Sequence, residues 1–377
     1  MNIMENNNHV LVVLQLTGGN DFINTIVPYS NPHYYDARKK IVVPEDQVLQ
    51  IDDNIGFHQN MAPIKELYDQ GSVAIIQGIG YPNSSRSHFR ALDIWHTCEP
   101  ETVGTEGWLG KAITALDPKK ENVLTGVNFG RGLPRALSSP GVPVTSVGDL
   151  DNYGLMTPIQ NKNERTEALK IFKSMYAPAI GNGPVMDYLS QTGQNLLVGA
   201  DMLKVAPINY KSEIEYGNTQ IAKSLRDVAR VHLANLGTQI FFVSQGGYDT
   251  HSTQTPVQPV LIEDLSKAIN DFFQDLRNQN ASKNVAMLVF TEFGRRMQDN
   301  GSGTDHGSGG GAFIIGDSIK GGLYSEYPRL EPENWENGED LEHTIDFRGV
   351  YGTLLEQWMN IEPSEIVGGQ FEQIGVF

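Results

Sequence analysis

Short apolar runs set between amphipathic stretches constrain this chain more than any other feature. His9–Leu16, Ser72–Gln77, Thr238–Ser244, Val285–Thr291 and Ala312–Ile315 are four to eight residues long and read as fully buried strands. Val123–Val127 and Val142–Val147 are weaker strand candidates. Helical periodicity appears at Met61–Gln70, His88–Cys98, Val185–Lys204, Ile221–Asn235, Val257–Asn278 and Arg348–Met359. Pro363 lies just past the last of these, where a helix has ended. Strands alternating with helices predict βαβ units and a mainly parallel central sheet, a three-layer α/β/α arrangement. The stretch from about 157 to 237 is nearly all helical in pattern, so it is expected to be an excursion from the sheet. A chain of 377 residues is expected to form one domain over 1–377.

The residues just beyond each run are chemically unusual. Leu16 leads into Thr17-Gly18-Gly19-Asn20-Asp21. Gln77 leads, through Gly-Ile-Gly, to Pro82-Asn83-Ser84-Ser85-Arg86-Ser87-His88. Ser244 leads to Asp249 and His251, and Thr291 to Glu292, Phe293 and Arg295. Ligands of open α/β sheets bind beyond the carboxyl ends of the strands, where the loops converge. Four such ends therefore deliver carboxylates, hydroxyls or imidazoles to one edge. Within the Gly-rich stretch 301–311, which reads by composition as a flexible linker, Asp305 and His306 are out of place for a spacer.

Carboxylates and imidazoles without thiolates suit zinc, manganese, iron or magnesium. Asp21, Asp249, His251, Glu292, Asp305 and His306 are the candidate metal ligands, and one or two divalent ions are expected, zinc or manganese first. Each residue alone also admits a structural role. Asp21 could shape a turn, His251 could be a surface residue, and Ser87 with His88 could cap a helix. Glu292 is the exception, because a buried carboxylate at a strand end is costly without a partner.

Composition narrows the partners. The formal net charge is -17, which opposes the phosphate backbone of nucleic acid and anionic membrane surfaces. A small anionic substrate stays compatible, since a bound cation reverses the local field. The single cysteine, Cys98, permits neither an internal disulfide nor a thiolate zinc cluster and reads as a buried thiol. No apolar run is long enough to span a bilayer, so no membrane insertion is expected. The polar segment Met1–His9 lacks the features of a signal peptide, as expected of a cytoplasmic chain or of one whose export signal has been removed.

Several segments together resemble the DUF1501 family, classed with the alkaline phosphatases and sulfatases. They are LTGGNDFINTIVPY, GIGYPNSSRSHFRALDIW, GWLGK, GGYDTHSTQ, FTEFGRRMQDNGSGTDHGSGGGAFIIG and IDFRGVYGTLLEQW, spread over about residues 10 to 358. The resemblance implies an alkaline-phosphatase-like fold and a metal-dependent hydrolase of phosphate or sulfate esters. It matches Asp21 to a metal-binding Asp after the first strand, and Asp249 and His251 to a later ligand pair. It also makes the SSRSHF segment the site of a Ser nucleophile, with Ser84, Ser85 and Ser87 competing. Ser87 is favoured because His88 follows it at the expected helix start. Ser85, His88 and Arg86 complete the candidate catalytic set, Arg86 and Arg295 being suited to hold anionic oxygens. The chain departs from the pattern at Glu292-Phe293, where relatives carry an Asp-His pair; His306 is the candidate replacement, beside Asp305. That departure puts a two-zinc site in question and leaves a non-catalytic, ligand- or partner-binding protein as the alternative. A serine-esterase reading rests on Gly316-Asp317-Ser318 and Asp340-Leu341-Glu342-His343. These blocks lie only 22 residues apart near the C-terminus and are read as chance.

Overall fold

The computed structural model describes residues 9–151, 153, 159, 161–175 and 183–377. Its strands are β1 (Val10–Thr17), β2 (Ile26–Val27), β3 (Val48–Gln50), β4 (Gly56–His58), β5 (Val73–Gly80), β6 (Gly126–Phe129), β7 (Thr145–Val147), β8 (Ile240–Gly246), β9 (Val285–Thr291), β10 (Arg295–Asp299), β11 (Thr304–His306), β12 (Gly310–Gly316), β13 (Gly322–Tyr324) and β14 (Ile345–Asp346). The helices are α1 (Pro32–Ala37), α2 (Ala62–Asp69), α3 (His88–Thr97), α4 (Trp108–Leu116), α5 (Lys162–Met175), α6 (Pro184–Leu203), α7 (Val205–Asn209), α8 (Gln220–Leu233), α9 (Gln254–Asn278), α10 (Phe347–Thr353) and α11 (Ser364–Val367).

Nine strands form the main sheet in the order β13-β5-β12-β9-β1-β8-β6-β7, with β14 paired to β5. β1 runs parallel to both β8 and β9. Among the described residues, only β12 opposes its neighbours in this sheet, β5 and β9. The expected mainly parallel sheet is therefore present.

β1 explains why the sheet needs helices on both faces. Val10, Val12, Leu14 and Leu16 point into a core shared with Ile64 and Leu67 of α2, Leu225 and Val228 of α8, and Ile269 and Phe272 of α9. Leu11 and Val13 point the other way, towards Ile94 and Trp95 of α3, Trp108 and Ile113 of α4, and Tyr351 beyond. Each such side chain, fully buried, contributes about 1.5–3 kcal/mol. Cys98 lies in this second core, 2% exposed, and burial pushes its thiol pKa upward.

The helical excursion appears between β7 and β8 as α5 to α8. Residues 157, 158, 160 and 176–182 of the expected span lie outside the described residues, as do residues 1–8 of the polar N-terminal segment. Among the described residues, no helix is long and apolar enough to cross a membrane.

One expectation is corrected. The stretch 301–311 is no linker: it supplies β11, which pairs antiparallel with β10, and the start of β12. Gly303, Gly307 and Gly309 permit close backbone approach; a Cβ on Gly307 would sit 2.6 Å from the carbonyl carbon of Arg295. The esterase reading also separates in space. Ser318 and Asp317 follow the far end of the antiparallel β12, where Asp317 is bound by Arg277 and Ser318 donates to the carbonyl of Lys283.

Leu14 sits in the central strand, opposite Val243 of β8 and Val289 of β9. Leu14→Ala is expected to lower stability by about 2–5 kcal/mol in urea melts. A cost under about 1 kcal/mol would be inconsistent with its burial in the core beneath α2, α8 and α9.

Candidate metal centre

β1, β5, β8 and β9 run in one direction, so their carboxyl ends share an edge. The antiparallel β12 begins at that same edge, and the β10–β11 hairpin just before it folds there too. Six of the ten residues expected at the site meet at this place: His88, Asp249, His251, Glu292, Asp305 and His306.

Three imidazoles define the centre, and each is tethered through Nδ1 to an acceptor. His88, the first residue of α3, places Nδ1 2.9 Å from Oε1 of Glu292. His306 places Nδ1 2.7 Å from the carbonyl oxygen of Arg86. His251 places Nδ1 2.9 Å from Oδ1 of Asp305. A carboxylate or a carbonyl only accepts, so each Nδ1 carries a proton, which leaves Nε2 as the nitrogen through which each ring could hold a metal ion.

Those Nε2 atoms converge on Asp249. Oδ1 of Asp249 lies 3.0 Å from Nε2 of His306 and 3.2 Å from Nε2 of His251. Oδ2 lies 3.4 Å from Nε2 of His88, a buried nitrogen with no hydrogen-bond partner. Nε2 of His251 and Nε2 of His306 are 2.9 Å apart. Two ring nitrogens this close need a proton or a cation between them. One ligand atom each from His88, Asp249 and His306 falls within 4.8 Å of the others, a spacing suited to one ion. The donor set is nitrogen-rich and thiolate-free, which fits zinc, manganese or iron.

The surroundings fix these ligands. Glu292 is wholly buried at the end of β9, and its Oε1 also accepts the backbone N–H of Gly18 at 2.9 Å. Gly18 has φ +122°, and a Cβ there would stand 2.4 Å from the backbone nitrogen of Asp249. Only glycine lets β1 turn so close to the segment after β8. Arg295, 1% exposed, donates to the carbonyls of Gly18, Gly19, Tyr248 and Thr304 and to Oδ1 of Asp249. Burial raises the Asp249 pKa, but hydrogen bonds with His306 and Arg295 and the Arg295 charge outweigh it and hold the carboxyl at about 2. The Phe293 ring packs on His88 and His306, with centroids 4.9 and 4.6 Å away.

The other expected residues sit elsewhere or act differently. Glu292 and Asp305 orient imidazoles rather than face the Nε2 cluster. His88, grouped with the catalytic residues from sequence, joins the nitrogen donors. Asp21 is apart from the centre, buried and paired with Arg38. Arg86 binds Asp340 and Glu339 through its guanidinium. Ser87 is exposed at the N-cap of α3 without capping through its side chain, while Ser85 Oγ accepts the Ser87 N–H at 3.3 Å. Arg38 has no sequence signature, for nothing around it distinguishes it from a surface arginine.

Comparisons with known proteins agree with the motifs. Residues 201–359 match the DUF1501 family, described as a protein of unknown function. The matched span includes Asp249, His251, Glu292 and His306. No curated protein matches the chain. Similar solved structures include a protein in the alkaline phosphatase superfamily from Vibrio parahaemolyticus, 8% identical over 96% of this chain and 69% of that one, TM-score 0.42. Another is the phosphonate monoester hydrolase of Agrobacterium radiobacter, 10% identical over 96% and 78%, TM-score 0.40. A third is Ps i-CgsB in complex with k-i-k-neocarrahexaose, 11% identical over 97% and 73%, TM-score 0.38. These scores are low, and the chemistry of the centre rests on its own residues.

Carboxylates that hold a ligating histidine typically change metal affinity about 10- to 100-fold when altered. Glu292→Gln is expected to weaken zinc binding within that range in calorimetric titration. Unchanged affinity would contradict the orienting role of Glu292.

Proposed function

We propose that the chain is a metal-dependent hydrolase of phosphate or related (sulfate) esters, working at an ion held by His88, His251, His306 and Asp249. The carrying observation is the convergence of three Nε2 atoms on one carboxylate, each ring fixed through its Nδ1. When bound, a divalent ion supplies Lewis-acid stabilisation of the charge developing on a transferred phosphoryl or sulfuryl group.

The protein's own residues supply the rest. Glu292 keeps the His88 proton on Nδ1, and Arg295 holds Asp249 ionised and in place. Phe293 packs an apolar ring against two of the imidazoles. Ser87 is the proposed nucleophile: it is exposed, its side chain does not cap the helix, and it immediately precedes His88 at the positive end of α3. Its Oγ would bond to phosphorus or sulfur as the ester oxygen leaves, the Ser87 proton passing to solvent. Water would then cleave the new serine ester and regenerate the hydroxyl. Asp249, Glu292 and Asp305 crowd this edge with negative charge, so an anionic ester would approach only when a cation is bound.

One observation favours a non-catalytic binding protein instead. Arg86 and Arg295, the arginines suited to hold the ester's oxygens, are both engaged by protein acceptors. Elemental mass spectrometry on tag-free protein and on His251→Ala, followed by turnover of aryl phosphate, phosphodiester and sulfate esters with and without chelator, separates the two readings. Stoichiometric metal lost in His251→Ala is expected, with chelator-sensitive turnover that falls by roughly three orders of magnitude in Ser87→Ala while metal is retained. Metal bound without turnover of any ester would leave the binding reading. Unchanged metal in His251→Ala would refute the centre.

A further inference from the structure

Four carboxylates stand behind the carboxyl edge of the sheet: Asp21, Asp249, Glu292 and Asp305. A site for two ions would need most of them. Oε1 of Glu292 takes His88 Nδ1 and the Gly18 N–H, and its Oε2 lies 3.3 Å from Thr291 Oγ1. Oδ1 of Asp305 takes His251 Nδ1 and, at 3.3 Å, Asn300 Nδ2, while Oδ2 faces Arg296 at 3.9 Å. Asp249 alone turns both oxygens towards the imidazole Nε2 atoms.

Asp21 is the decisive case. Its side chain and that of Arg38 are completely buried. Nη1 of Arg38 binds Oδ2, Nη2 reaches Oδ1 at 3.2 Å, and Nε2 of Gln254 adds a 2.5 Å contact to Oδ2. The remaining Arg38 donors reach the carbonyls of Met297 at 2.6 Å and Arg296 at 2.8 Å, both on β10. The guanidinium thus ties the end of β1 to the hairpin whose second strand, β11, carries His306.

We infer that the Asp21–Arg38 pair stands in place of a second metal ion and that the centre is mononuclear. A guanidinium stays protonated throughout the working pH range, so Asp21 keeps a permanent cation. An ion competing for Asp21 would have to displace Arg38 and leave its charge buried and unpaired, which is strongly unfavourable. The cross-linking a second ion would provide is done by the two carbonyl contacts to β10. This inference rests on the metal centre proposed above.

Metal-free full-length protein titrated with zinc and with manganese, followed by calorimetry and native mass spectrometry, counts the ions directly. One ion per chain is expected. Asp21→Asn should also bind one, with affinity within about tenfold of the wild type, because Asp21 acts outside the residues that orient the ligands. The cobalt-loaded variant should show the same visible absorption spectrum as the cobalt-loaded wild type. Two tightly bound ions, or a cobalt spectrum altered in a folded Asp21→Asn protein, would overturn the inference and leave the metal centre standing. No bound ion at all would overturn both. If Asp21→Asn fails to fold, the wild-type count alone decides.

Discussion

The buried carboxylate of Glu292 is the constraint around which the site is organised. A carboxyl group with no solvent contact must find hydrogen-bond partners inside the protein, and only a few neighbours can supply them. Glu292 finds two on one oxygen: the backbone N–H of Gly18, at the turn after β1, and Nδ1 of His88, at the start of α3. Satisfying one acid therefore draws together three segments that are far apart in sequence. It also turns Nε2 of His88 towards Asp249. The same logic recurs with Asp305 on His251 and with the Arg86 carbonyl on His306.

Sheet direction does the rest. In a purely parallel sheet, only segments that come after strands reach the carboxyl edge. β12 is antiparallel to β5 and β9, so the segment preceding it reaches that edge as well. This reversal keeps the whole connection from β9 to β12 at that edge, so the β10–β11 hairpin within it presents His306 opposite Asp249. Arg38 and Arg295, both fully buried, fasten the hairpin to the ends of β1 and β8.

Much of this was legible in the sequence, for definite reasons. The runs at His9–Leu16, Thr238–Ser244 and Val285–Thr291 are apolar on both faces because helices cover both sides, and they became β1, β8 and β9. The polar residues after them gather because parallel strands end together. The division of labour among those residues was not legible. Whether a carboxylate faces a metal or a histidine's Nδ1 depends on ångström-scale placement, so Glu292 and Asp305 were expected as ligands and His88 as a catalytic group. Asp21 is a candidate ligand from its place after the first strand as well as by resemblance, but its partner Arg38 arrives from the end of α1, 17 residues on and without a signature. The glycines of 301–311 suggest flexibility, whereas Gly303, Gly307 and Gly309 mark where backbones nearly touch.

The central claim is that one cation lies between the three Nε2 atoms and Asp249. Crystals grown with zinc or manganese, with anomalous diffraction recorded above and below the metal's absorption edge, locate the ion independently of any activity. The account predicts one strong anomalous peak per chain, bonded to His88, His251, His306 and Asp249, with Arg38 still on Asp21. A peak at Asp21, or no peak among the three imidazoles at saturating metal, would contradict it.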